Sequence, residues 1–223
     1  MTIHTARARS TLVRSHEVNK VLSSTFVVVA GMWLLTAVAG FGTLNWRPHL
    51  AEMLVMFVLS IGLIFATRAC RQSGWGLVTL GAFSCVQGAM LGPILNHYLA
   101  MRHGVEVVSL SALLTAGATF GCALYAMTTG RDFSRWSGFL VGGLVMLILV
   151  SLVGLCFPMP GLSLGIAFIS AALFLCWTLY DIGAILNGQE TNYISAALGL
   201  YLDMLNFFMD MLRIVSAFSG NED

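Results

Sequence analysis

The chain of 223 residues is 58% apolar and carries only 9% Asp, Glu, Lys and Arg. Soluble domains carry about 25% charged residues, so this composition belongs to a bilayer. A net charge of +1 with no block of like charge provides no footprint for nucleic acid, and five cysteines without CxxC spacing exclude a disulfide framework or a zinc site.

A polar N-terminal tail over residues 1–20 comes first, followed by an apolar run over 21–43. A positively charged tail, an apolar run and Ala37-Val38-Ala39 have the outline of a signal peptide. The tail is too long and the run continues too far for that, so the run is read as an uncleaved span. Further runs of about 20 apolar residues, the length a bilayer demands, follow at 50–70, 74–97, 107–129, 137–157, 162–187 and 192–218. Residues 219–223 form a short C-terminal tail. The connections carry the expected breakers: Arg47-Pro48, Gln72-Ser73-Gly74, Gly130 to Arg135, Pro158-Met159-Pro160-Gly161 and Asn187 to Thr191. The expected fold is therefore an all-α membrane protein of seven transmembrane helices, with no soluble domain and no internal repeat.

With the N-terminus cytoplasmic, Arg7, Arg9, Arg14, Lys20, Arg68, Arg71, Arg131 and Arg135 lie inside and Arg47, Arg102 and Arg213 outside. Eight against three favours N-inside, C-outside, with the connection between the sixth and seventh spans cytoplasmic. Glycines pair at four-residue spacing in Gly117/Gly121, Gly138/Gly142 and Gly161/Gly165, which predicts close helix packing at those positions. Cys70, Cys85, Cys122, Cys156 and Cys176 read as small core residues, and Glu52 as an interfacial residue. His4, His16, His49, His97 and His103 lie in the tail or near helix ends without metal spacing, so they read as solvated.

The acids of the last two spans need a different account. An Asp at the centre of a spanning helix costs about 2.5–3.5 kcal/mol on insertion scales, so it faces the bundle interior and has a partner. Asp203, Asn206, Asp210 and Arg213 fall at i, i+3, i+7 and i+10, which places them on one polar seam of the seventh helix. Asp181 and Asp203 both fall in the inner half of the membrane and are candidates to meet. A buried clasp that only fixes packing is the bland alternative.

At these residues the chain resembles the Bax inhibitor family of transmembrane proteins. The resemblance rests on LYD at 179–181 and LGLYLDMLNFFMDMLR at 198–213, with support from LGPILNHYL, RDFS and GQETNYI, and runs from about His16 to the C-terminus. GQETNYI and the tail's HEVNKVL are most similar to the bacterial YccA branch. The resemblance implies a central seventh helix surrounded by the other six, an inner-membrane location, and Asp181 with Asp203 as the working pair. It also implies an arginine near the cytoplasmic end of the second helix that pairs with Asp181 in the closed state, a place that Arg68 or Arg71 fits. Asp210 is an acid where the family pattern is usually uncharged. The YccA branch further implies a partner and modulator role toward the membrane protease FtsH.

Two carboxylates together in a poorly hydrated site share a proton and titrate as one unit. Deprotonated, they are the hard oxygen ligands that calcium prefers, so protons and calcium should compete for Asp181 and Asp203. The expected function is thus a pH-sensitive calcium leak, with calcium and protons as partners and no other cofactor. An intramembrane aspartyl protease is the enzymatic rival, and it is disfavoured. Leu200, Tyr201 and Leu202 precede Asp203, where such proteases have Gly-x-Gly for close approach of substrate backbone.

Overall fold

A computed structural model describes residues 2–156 and 160–219, with side-chain surroundings for 16–154 and 161–219. Among the described residues the regular structure is entirely helical. The helices are α1 (Thr2–Gly42), α2 (Leu50–Cys70), α3 (Trp75–Leu99), α4 (Gly104–Thr129), α5 (Ser137–Cys156), α6 (Pro160–Leu186) and α7 (Tyr193–Ser219), with a single 3₁₀ turn at Ser134–Trp136 before α5. The segment expected as a separate tail is the first part of α1, continuous with its span. Of the Pro158-to-Gly161 connection, residues 157–159 lie outside the described residues, as do residues 220–223 of the C-terminal tail.

Local chemistry explains where the helices begin and end. Glu52 accepts a hydrogen bond from the His49 backbone N–H at 3.1 Å, half of a capping box that places an acid at the positive end of α2. The interfacial reading of Glu52 thereby acquires a specific task. Gly130, at φ 57°, ends α4 in the left-handed conformation and donates back to Ala126. Gly188, at φ 70°, does the same after α6. Asn192 Oδ1 then caps α7 by accepting from the N–H groups of Ile194 and Ser195, both at 3.0 Å.

Six of the helices are long and apolar enough to cross a membrane. The seventh, α7, has the length, about 40 Å for its 27 residues, but lacks the apolarity because of Asp203, Asn206, Asp210 and Arg213. It compensates by burial. Fourteen of its residues are buried, including Leu200, Tyr201 and Leu212, and it packs against α1, α2, α3, α4 and α6. Among the described residues α5 lies against α6 and comes nowhere within 8 Å of α7 between Cα atoms. Five helices, rather than the expected six, therefore touch the seventh directly. Large apolar side chains left exposed, such as Val58 on α2, Leu113 on α4 and Ile148 on α5, face outward to lipid.

The glycine expectation is corrected. Among the described residues a Cβ built on Gly117, Gly121, Gly138, Gly142, Gly161 or Gly165 would have no neighbour within 4 Å, so these pairs mediate no helix contact there. Close approach occurs instead between α1 and α3, where a Cβ on Gly88 would run into Thr36 and one on Gly92 into Thr43 and the Gly40 carbonyl. Four-residue spacing is common by chance in a glycine-rich chain, and only the facing helix decides which pair is used. Gly92→Ala should therefore destabilise by about 1–3 kcal/mol through overpacking against backbone, whereas Gly117→Ala should be neutral or stabilising. Thermal unfolding in detergent compares the two, and equal effects would refute the assignment.

Candidate functional site

The interface of α6 and α7 brings Asp181 and Asp203 together through a glycine. Gly199 lies one helical turn before Asp203, on the same face. A Cβ there would overlap Oδ2 of Asp181, so the carboxyl of α6 rests directly on the backbone of α7. Asp203 interacts electrostatically with Asp181, and it is only 6% exposed. Its Oδ2 is buried without a hydrogen-bond partner among the described residues. An orphaned carboxylate oxygen in the membrane interior is costly unless a proton, a cation or a water answers it.

Asp181 borders a cavity of about 600 Å³ that Arg68, Arg71, Glu190 and Leu202 also line. Arg68 and Glu190 both act electrostatically on Asp181. Both arginines that the sequence left open border this cavity, and Arg68 is the one with an electrostatic influence on the acid. Arg71 contributes its carbonyl, which accepts from Asn192 Nδ2 at 2.8 Å and ties the turn after α2 to the start of α7.

The rest of the polar seam divides. Asp210, also 6% exposed, lies beside Ser170 of α6 and Arg213, and its Oδ2 has no hydrogen-bond partner among the described residues. Asn206 donates to the Leu202 carbonyl at 2.7 Å and borders a second cavity with α2 and α3. Arg213 is exposed. The residues share a stripe, as their spacing required, but they serve two neighbouring interfaces.

Two motifs that are far apart in the chain meet at the same end of the bundle. Phe133 of RDFS is buried against Gly183 of α6, two residues after Asp181. Gln189 donates to Asp132 Oδ1 at 3.3 Å and also lines the acid-bearing cavity. The Ser134 backbone N–H, at 2.9 Å from Oδ1, holds the exposed Asp132 carboxyl below its ordinary range, with further help from Gln189 and Arg135. The turns α2–α3, α4–α5 and α6–α7 are thereby clasped at one end.

Sequence reasoning missed Gly199 and Glu190. The only signal for Gly199 was a glycine one turn before an intramembrane acid, and Glu190 is separated from Asp181 by a helix end. Among the described residues no group of three or more His, Cys, Asp or Glu is placed to hold a metal ion. His16, His49, His97 and His103 are exposed, His103 lying 3.2 Å from Glu106, and the His4 side chain lies outside the described residues. Cys70, Cys85, Cys122 and Cys176 are free thiols, Cys85 exposed and the others half-buried. The Cys156 side chain lies outside the described residues.

A bundle of long apolar helices with Asp203 and Asp210 buried on its seventh defines a multi-pass membrane protein with acids in its interior. The family model described as "Inhibitor of apoptosis-promoting Bax1" matches residues 18–220, and the chain belongs to that Bax inhibitor family. It is 34% identical to an uncharacterized membrane protein of Vibrio cholerae, over 96% of both chains. It is also 33% identical to the uncharacterized protein PA2604 of Pseudomonas aeruginosa, with the same coverage. The Escherichia coli protein named modulator of FtsH protease YccA is 28% identical over 96% of this chain and 95% of its own. A second E. coli relative of equal similarity is named inner membrane protein YccA.

Proposed function

We propose that this protein is a slow calcium leak gated by the Asp181–Asp203 pair, with α7 as the axis of the bundle. The observation that supports it most is the seating of Asp181 on Gly199 beside the buried Asp203, open to a cavity that holds Arg68 and Glu190. Protonated, the pair is a hydrogen-bonding clasp between α6 and α7. Deprotonated, it supplies hard anionic oxygens, those of Asp181 on the cavity wall and those of Asp203 buried beside it. Two carboxylates are a fraction of the six to eight oxygens a resident calcium takes, which suits an ion passing with part of its water. Arg68 competes with that ion for Asp181, so it favours the empty, closed arrangement. The test is calcium flux in liposomes containing the purified protein across a pH series. Flux that is absent, or indifferent to pH, would end the reading.

The orientation belongs to the same proposal: the clasped end with Arg68, Arg71, Arg131 and Arg135 is cytoplasmic, and α7 spans. A reporter after Gly220 is expected to read as periplasmic and one at Arg131 to Arg135 as cytoplasmic. A cytoplasmic C-terminus would mean that α7, the one helix short of apolarity, does not cross.

A second reading is modulation of the membrane protease FtsH in the bacterial inner membrane, favoured by the name of the E. coli relative that matches nearly end to end. The N-terminal extension of α1 would be the handle, on the same side as the protease's ATPase. Deleting residues 2–14 should slow turnover of this protein in cells that contain the protease, and unchanged turnover would remove the extension from that role. An aspartyl protease reading gains no support, because two of the three residues before Asp203 are large and fully buried, Leu200 and Tyr201, and Tyr201 shares a hydrogen bond with Thr36 at 2.6 Å.

A further inference from the structure

A second cavity of about 330 Å³ lies between α2, α3 and α7. Its wall is mostly apolar, with Phe57, Ile64 and Met209, but three polar side chains reach it, Ser60 of α2, Gln87 of α3 and Asn206 of α7. Of the residues around the two cavities only Leu202 borders both. It stands between Gly199 and Asn206 on α7, and the Asn206 amide donates to its carbonyl at 2.7 Å. On α2, Arg68 at the first cavity and Ser60 at the second are eight residues apart, about 12 Å along the axis. The cavities thus follow one another along the same pair of helices, and Leu202 is the residue they share.

We propose that Leu202 is a hydrophobic barrier between the acid-lined chamber and a second, amide-lined chamber, and that hydrated cations pass from one to the other when it is displaced. The passage of ions rests on the leak reading above, whereas the connection of the chambers does not. A gap narrowed by an isobutyl group sheds water, and a dewetted constriction blocks an ion without any charge on it. Beyond it, the Gln87 and Asn206 carbonyl oxygens and the Ser60 hydroxyl are neutral ligands, which take a cation from the acid pair without holding it. Leu202 also adjoins Asp203 in sequence, so a shift of α7 that changes the acid pair moves the barrier with it.

The test combines flux with accessibility. Leu202→Ala and the milder Leu202→Val are reconstituted into liposomes, and calcium flux is compared with wild type at one pH. In parallel, Asn206→Cys is made alone and together with Leu202→Ala or Leu202→Val, and a membrane-impermeant cationic thiol reagent is applied from the Arg68 side. Modification is read by the mass of the peptide containing position 206, apart from the native cysteines. We expect flux to rise several-fold with truncation, and position 206 to be modified only when Leu202 is Ala or Val. Modification that is equally fast with Leu202 intact, or absent in both truncations, overturns the barrier and leaves aspartate-dependent flux standing. Modification that depends on residue 202 with no calcium flux in any variant keeps the barrier and removes the leak.

Discussion

Asp203→Asn should lower calcium flux and flatten its pH dependence while leaving the bundle assembled. The amide matches the carboxyl in volume and can still hydrogen-bond, but it neither ionises nor offers an anionic oxygen. Asp181→Asn should behave alike, because the carboxyl seated on Gly199 and the one a turn later share one environment. The double substitution should then be little worse than either single one, a coupling of about 0.5–3 kcal/mol of the kind contacting groups show. Asp210→Asn should have the smaller effect on flux, since Ser170 and Arg213 are its neighbours rather than the cavity. Additive losses from Asp181→Asn and Asp203→Asn would mean that the acids act independently. Wild-type pH dependence in both would reduce them to a packing clasp.

Gly199→Ala should be the most disruptive single-methyl change on α7. The new Cβ occupies the space of Asp181 Oδ2, so either the carboxyl swings into the cavity toward Arg68 or the helices part. Overpacking of this kind costs about 1–3 kcal/mol, only partly offset by the better helix propensity of alanine, roughly 1 kcal/mol. Flux should lose its dependence on Asp203 as the pair separates. The diagnostic measurement is a rescue: in an Asp181→Ala background the same glycine substitution should be neutral or stabilising by thermal unfolding, because the clashing oxygen is gone. A methyl that costs as much without Asp181 would place the contact elsewhere and dissolve the geometry on which the site rests.

The clasp of turns around this site has its own logic. RDFS, GQETNYI and the end of α2 are far apart in the sequence, which says nothing about their contact. In the folded chain two hydrogen bonds join them, one from Gln189 to the Asp132 carboxyl and one from Asn192 to the Arg71 backbone carbonyl. Gln189 and Arg71, which make these contacts, also line the cavity that Asp181 borders, so its wall is built from turns as well as helices.

The sequence by itself determined the all-helical membrane architecture, the approximate span boundaries and the helices that carry the acids. Bilayer thickness sets helix length, and the 3.6-residue repeat places Asp203, Asn206 and Asp210 on one stripe whatever surrounds them. It also sufficed for the family, because LYD and LGLYLDMLNFFMDMLR are contiguous. Tertiary structure alone decided which glycines matter, because a missing Cβ has consequences only where another helix lies opposite: Gly88 and Gly92 against α1 and Gly199 against Asp181, but not Gly117, Gly121, Gly138 or Gly142. It alone placed both Arg68 and Arg71 around the cavity that Asp181 borders, and gave the Arg71 carbonyl to Asn192. It also gave α7 five neighbours and left α5 against α6 alone among the helices, because residues on different sides of one helix meet different partners once helices pack.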